Sequence, residues 1–109
     1  MPVHLIYREE SVRAELIGEI DDYTARQMRE AIDPAISRLH PKKLILDFSA
    51  VPFMDSSGIA VIIRARKRMW ETGGKIWLIR PGAQPLRVLE TSGLERFIQI
   101  KCTESGGVR

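Results

Sequence analysis

The 109-residue chain holds one cysteine, Cys102, so no internal disulfide can form and the fold must rest on its core. That fits a reducing, cytoplasmic setting. No apolar run approaches the roughly 20 residues of a membrane span. The start, Met1-Pro-Val-His-Leu-Ile, lacks the basic stretch and long apolar segment of a secretory leader. The expectation is a soluble chain with no membrane partner. The two histidines, His4 and His40, lie far apart and, with one cysteine, give no zinc spacing. No glycine-rich phosphate loop is present, so no cofactor is expected. A nucleophile elbow needs glycine two residues before its serine, but Met54 precedes Ser56 and Asp55 precedes Ser57 at that distance. Asp21, Asp22 and Asp55 could in principle meet around a divalent ion, yet loop aspartates more commonly cap helices and shape turns. Neither catalysis nor metal binding is expected.

A strong charge imbalance is also lacking. Seventeen Lys and Arg face fourteen Asp and Glu, for a net charge of +3. This mildly basic balance does not call for nucleic acid, and it favours encounter with an acidic partner. With 44% hydrophobic residues, the chain can bury a single core. One domain is expected over 1–102, with 103–109 as a flexible tail. There is no internal repeat, low-complexity tract or linker.

Apolar residues alternate through Val3, Leu5 and Tyr7 and again through Val12, Ala14 and Leu16, predicting a hairpin that turns at Glu9-Glu10-Ser11. Ala25, Met28, Ala31, Ile32, Ala35, Ile36 and Leu39 keep helical spacing. Thr24 with Gln27 reads as the capping box of that helix. Pro34 predicts a kink or break near Asp33. Leu44 to Phe48 reads as an interior strand. A helix follows, with Ile59, Ile62, Ile63, Met69 and Trp70 assigned to its buried face. Gly73-Gly74 ends that helix, Lys75–Ile79 forms a strand, and Pro85 to Gly93 a short helix. Phe97, Ile98 and Ile100 suggest a last strand. The order predicts an α/β fold, a mixed sheet of about four to five strands with three to four helices packed on it.

The centre of the sequence is Asp55-Ser56-Ser57-Gly58, the junction between the interior strand and the second helix. Asp and Ser are favoured helix caps, and the bland reading is a cap. The same place, a helix N-terminus with two adjacent hydroxyls, also tolerates a phosphate. Arg64, Lys67 and Arg68 share one side of the second helix, either as a solvated face or as a surface for an acidic protein.

From Val3 to Ile100 the chain resembles the STAS domain, specifically the stand-alone anti-sigma factor antagonists of bacteria. Gly18-Glu-Ile-Asp21-Asp-Tyr-Thr24-Ala, Leu46-Asp-Phe-Ser-Ala-Val-Pro-Phe-Met-Asp55-Ser56-Ser57-Gly58-Ile59, and Gly73-Gly74 with Ser92-Gly93-Leu94 carry the resemblance in order. The resemblance implies that Ser56 is phosphorylated by an anti-sigma factor with ATP-dependent serine kinase activity. It further implies a metal-dependent serine phosphatase that reverses the modification. Unphosphorylated antagonist would hold the anti-sigma factor and free its target. Asp21, Thr24, Met54, Asp55, Ser57, Gly58 and Ile59 would border the kinase-facing surface, with Arg64 and Lys67 further along the helix. Two other functions stay open: a STAS scaffold in a larger signalling or transport complex, and a small anion- or nucleotide-binding module.

Overall fold

The computed structural model describes residues 1–102; the segment expected to be a tail lies outside them. The chain runs β1 (Val3–Arg8), β2 (Ser11–Ile17), α1 (Asp22–Leu39), β3 (Lys43–Ala50), α2 (Ser56–Glu71), β4 (Lys75–Ile79), α3 (Ala83–Ser92), a 3-10 turn (Leu94–Arg96) and β5 (Gln99–Lys101). The strands lie in that same order in one sheet, β1 antiparallel to β2 and the remaining neighbours parallel. This is the mixed α/β architecture that the periodicities predict.

Alternation decides which side of the sheet is covered. Val12, Ala14, Leu16, Leu44, Leu46, Phe48 and Leu78 are nearly solvent-free and join Met28, Ile32, Ile36, Ile62, Met69 and Leu89 of the helices in one cluster. Helices therefore pack on that face. The opposite face carries His4, Arg13, Glu15, Asp47 and Trp77, which the strand register sets across neighbouring strands.

Three local expectations change. The N-cap of α1 is Asp21 rather than Thr24; Thr24 is the third helical residue and completes a reciprocal box with Asp21. A carboxylate at that place accepts a first-turn N–H and also meets the positive end of the helix. Of the kink or break expected near Asp33, the break does not occur, since α1 continues through Pro34. An interior proline costs about 3 kcal/mol. Packing on both sides of it, by Met28 and Ile32 before and Ala35 and Ile36 after, outweighs that cost. In α2 the buried side is Gly58, Val61, Ile62, Ala65 and Met69, whereas Ile63 and Trp70 are 52% and 77% exposed. Each follows a buried residue directly, and a step of about 100° per residue turns it out of the interface.

Candidate functional site

Backbone pairing beyond the strands assembles the site. Past its register shift, the end of β2 leads to Gly18, whose N–H donates to the Ala50 carbonyl at 2.9 Å. Ile20 then bridges Met54: its N–H donates to Phe53 O at 3.0 Å, and Asp55 N–H donates to Ile20 O at 3.2 Å. The next residue on each segment, Asp21 and Asp55, is the N-cap of α1 and α2 respectively. The bridge thus sets two helix N-termini side by side at the carboxyl end of the parallel strands, where such sheets collect functional groups.

Each cap is fully built. Asp21 Oδ1 accepts the Thr24 N–H at 2.9 Å, and Thr24 Oγ1 accepts the Asp21 N–H at 2.9 Å. The Thr24 backbone N–H, with its hydroxyl, holds the Asp21 carboxyl below the ordinary aspartate value. Asp55 Oδ1 accepts the Ser57 N–H at 2.7 Å, while the Gly58 N–H donates to Asp55 O at 3.0 Å. The amides of Asp55, Ser57 and Gly58 are therefore already engaged. Ser56 is the first residue of α2 and exposed; Ser57 is half-buried.

Beneath this turn lies Met54, fully buried. A Cβ on Gly58 would stand 2.6 Å from Met54 Sδ and 3.1 Å from its Cβ, so any larger residue there would force the Met54 side chain to shift beneath the first turn of α2. Met54 and Gly58 shape the site from below and present no side chain to a partner.

Two groups whose partners the periodicities do not reveal sit at the loop and on the strand that leads into it. Gln84, in the first turn of α3, donates from Nε2 to Met54 O at 3.0 Å and accepts the Met54 N–H on Oε1 at 2.9 Å, as a neighbouring strand would. Thirty residues separate the pair in sequence, and nothing in the local pattern announces it. Removing the amide in Gln84→Ala leaves two backbone groups of a buried residue unsatisfied. That should cost about 2–3 kcal/mol, read as a lower denaturation midpoint with faster amide exchange at Met54. Unchanged exchange at Met54 would show that the loop holds itself.

The second group is Asp47 on β3, 1% exposed, whose Oδ2 takes Arg13 Nη2 of β2 at 2.7 Å and Arg80 Nη2 beyond β4 at 2.5 Å. Its Oδ1 accepts the Ser49 N–H at 2.9 Å. Burial pushes the Asp47 carboxyl up, but the bonds from Arg80, Ser49 and Arg13 together outweigh it and leave the group below its ordinary value. Arg80 lies in the left-handed region at φ 54°.

Arg64 and Lys67 stand apart from the serine, roughly 12 and 16 Å along α2 from Ser56 at 1.5 Å per residue. Arg64 Nε donates to Asp33 Oδ2 of α1 at 2.8 Å, and Arg68 approaches Asp33 Oδ1 at 3.8 Å, so both cross to α1, whereas Lys67 is exposed. Near the two N-termini, Tyr23 and Phe53 are 67% and 47% exposed and add apolar surface that helix and strand patterning did not single out. Among the described residues no three His, Cys, Asp or Glu side chains gather to hold a metal ion, and no helix is long and apolar enough to cross a membrane.

Residues 8–106 match the STAS domain family. An anti-sigma F factor antagonist of Paenibacillus polymyxa is 33% identical over 78% of this chain and 73% of its own length. The unphosphorylated form of the anti-sigma factor antagonist SpoIIAA superposes with a TM-score of 0.84 at 26% identity, covering 97% of this chain and 92% of that one. The phosphorylated form of the Bacillus protein SpoIIAA gives a TM-score of 0.75 at 27% identity, over 97% and 96% of the two chains. The chain is therefore a member of the STAS domain family, among its anti-sigma factor antagonists.

Proposed function

We propose that the protein is the antagonist in a partner switch. Unphosphorylated, it binds an anti-sigma factor that is also an ATP-dependent serine kinase and so releases that protein's target. A phosphate on Ser56 ends the binding, and a metal-dependent serine phosphatase restores it. The observation that carries this reading is the exposed Ser56, first in its helix and directly after the Asp55 carboxylate, with the amides around it already engaged. A phosphate there finds few internal donors and faces outward, toward whatever covers Tyr23, Phe53 and Ile63. The antagonist names of the relatives and a neighbour recorded in both phosphorylation forms support the same reading. The chain acts as a regulatory binding protein and as the substrate of two enzymes. Asp21, Thr24, Met54, Asp55, Ser57, Gly58 and Ile59 shape the surface that the kinase covers; Arg64 and Lys67 extend it along α2.

The test is capture from the native host with wild type, Ser56→Ala and Ser56→Asp as baits, with bound proteins identified by mass spectrometry. An ATP-binding kinase should be recovered by the first two and lost with the third. Labelling by that kinase should persist in Ser57→Ala and vanish in Ser56→Ala. If all three baits hold the same assembly, the protein is a scaffold and the switch reading fails.

A further inference from the structure

At the far end of α2 from Ser56 lies a groove of about 680 Å³ between the last turns of that helix, the start of β4 and the 3-10 turn. It is lined by the aromatic residues Trp70 and Phe97 and by Arg66, Lys75 and Arg96 against one carboxylate, Glu95. Trp70 is 77% and Phe97 61% exposed, so the core does not require either ring. Phe97 is nevertheless held in place: Arg66 Nε donates to its carbonyl at 3.0 Å, and the guanidinium lies 5.6 Å from the ring centroid. The bottom is closed by Gly74, where a Cβ would meet Pro41 O at 2.7 Å as well as the Met69 methyl.

We propose that this groove is a second docking site that takes an acidic peptide segment of a partner protein, anchored by a large apolar side chain. Aromatic and arginine side chains around a recess are the composition of interface hot spots. Three cations against one carboxylate select an acidic occupant. A second copy of this chain is disfavoured by the same charges, because a two-fold contact would set the Arg66, Lys75 and Arg96 rim against itself. The site is insensitive to the phosphorylation state of Ser56. Fourteen residues of helix put Trp70 about 21 Å from Ser56, well beyond a screening length of about 8 Å in physiological salt. On the partner-switch reading proposed above, a partner that reaches both ends of α2 would stay tethered here while the serine end lets go, which raises its effective concentration for rebinding.

Trp70 lines the groove, whereas the Trp77 ring lies on the other face of the sheet beside Lys43 and Lys101, so the fluorescence change on filling the groove comes from Trp70. The experiment pans a random twelve-residue phage-display library against wild type with counter-selection on Trp70→Ala, and titrates the best peptide by anisotropy. Enriched peptides should carry Asp or Glu around a Leu, Phe or Trp and blue-shift the tryptophan emission. Trp70→Ala and Phe97→Ala should each weaken binding about 30-fold, and Arg96→Glu about tenfold. Ser56→Asp should change it less than about twofold. Peptides without acidic residues, or affinity indifferent to Trp70→Ala, would overturn the proposal. So would a wild-type dimer in sedimentation that Trp70→Ala dissolves, since the occupant would then be a second copy.

Discussion

Phosphorylation of Ser56 is expected to lower affinity for the kinase partner by about 30-fold to several thousand-fold while leaving the fold intact. The two halves of that expectation come from different magnitudes. A phosphoserine brings about −1.5 to −2 charges. At a helix N-terminus the dipole favours such a charge by about 0.3–1 kcal/mol, so α2 tolerates it. In a closed interface the same dianion must shed its water beside the Asp55 carboxylate. The amides of Asp55, Ser57 and Gly58 cannot compensate, because they already donate to Ile20 O, Asp55 Oδ1 and Asp55 O. An unpaired buried charge costs about 2–5 kcal/mol, and at about 1.4 kcal/mol per tenfold the loss of affinity follows. Ser56→Asp carries one charge and belongs at the lower end, about 30-fold. Calorimetric titration of the kinase with the phosphorylated and unphosphorylated forms measures the ratio. Amide shifts confined to the loops 18–24 and 51–59 would mark the change as local electrostatics. Shifts spread across the sheet would mean that phosphorylation works by rearranging the fold.

What the sequence disclosed follows the range over which its signals act. Lys75–Ile79 is an uninterrupted strand pattern bounded by glycine and proline, and β4 spans those residues. The Gly73 signal is equally local: its φ of 80° closes α2. Asp55 as a cap needs only its own turn. Errors arise where tertiary packing overrides a local rule, as at Pro34, or where one step around a helix changes burial, as between Ile62 and Ile63. At Asp21 and Thr24 both residues were legible, but the reciprocal geometry that decides which is the cap was not. Contacts such as Gln84 with Met54 and Arg80 with Asp47 join residues 30 and 33 positions apart. No periodicity encodes such pairs. Asp47 itself was visible as a charge inside an apolar strand, and a buried charge requires partners; the sequence does not name them.

Asp47→Ala is expected to destabilise the protein by about 3 kcal/mol. The carboxylate is 1% exposed and shared by Arg13 and Arg80, whose side chains are 22% and 35% exposed. Removing one partner of a buried pair typically costs about 3–5 kcal/mol, and water reaching the two guanidinium groups keeps this case at the lower end. For a domain of this size the melting temperature should fall by about 10–20 °C. Asp47→Asn keeps the acceptor for the Ser49 N–H but loses the charge, and should recover part of the deficit. The pH dependence separates charge from shape. The folded-state pKa of Asp47 is lowered, so its ionised form adds stability above the unfolded value of about 3.9, and that contribution disappears as pH falls through the folded value. The gap between wild type and Asp47→Asn should therefore be widest near neutrality and narrow below about pH 4. Denaturant midpoints for both proteins across pH 2–7 decide it; a gap independent of pH would assign Asp47 a packing role. β3 leads directly from this carboxylate to the loop that carries Ser56. A lower midpoint in Asp47→Ala with normal kinase binding would show that the ion pair steadies the sheet without shaping the switch, and weakened binding at full folding would extend its influence to the Ser56 loop.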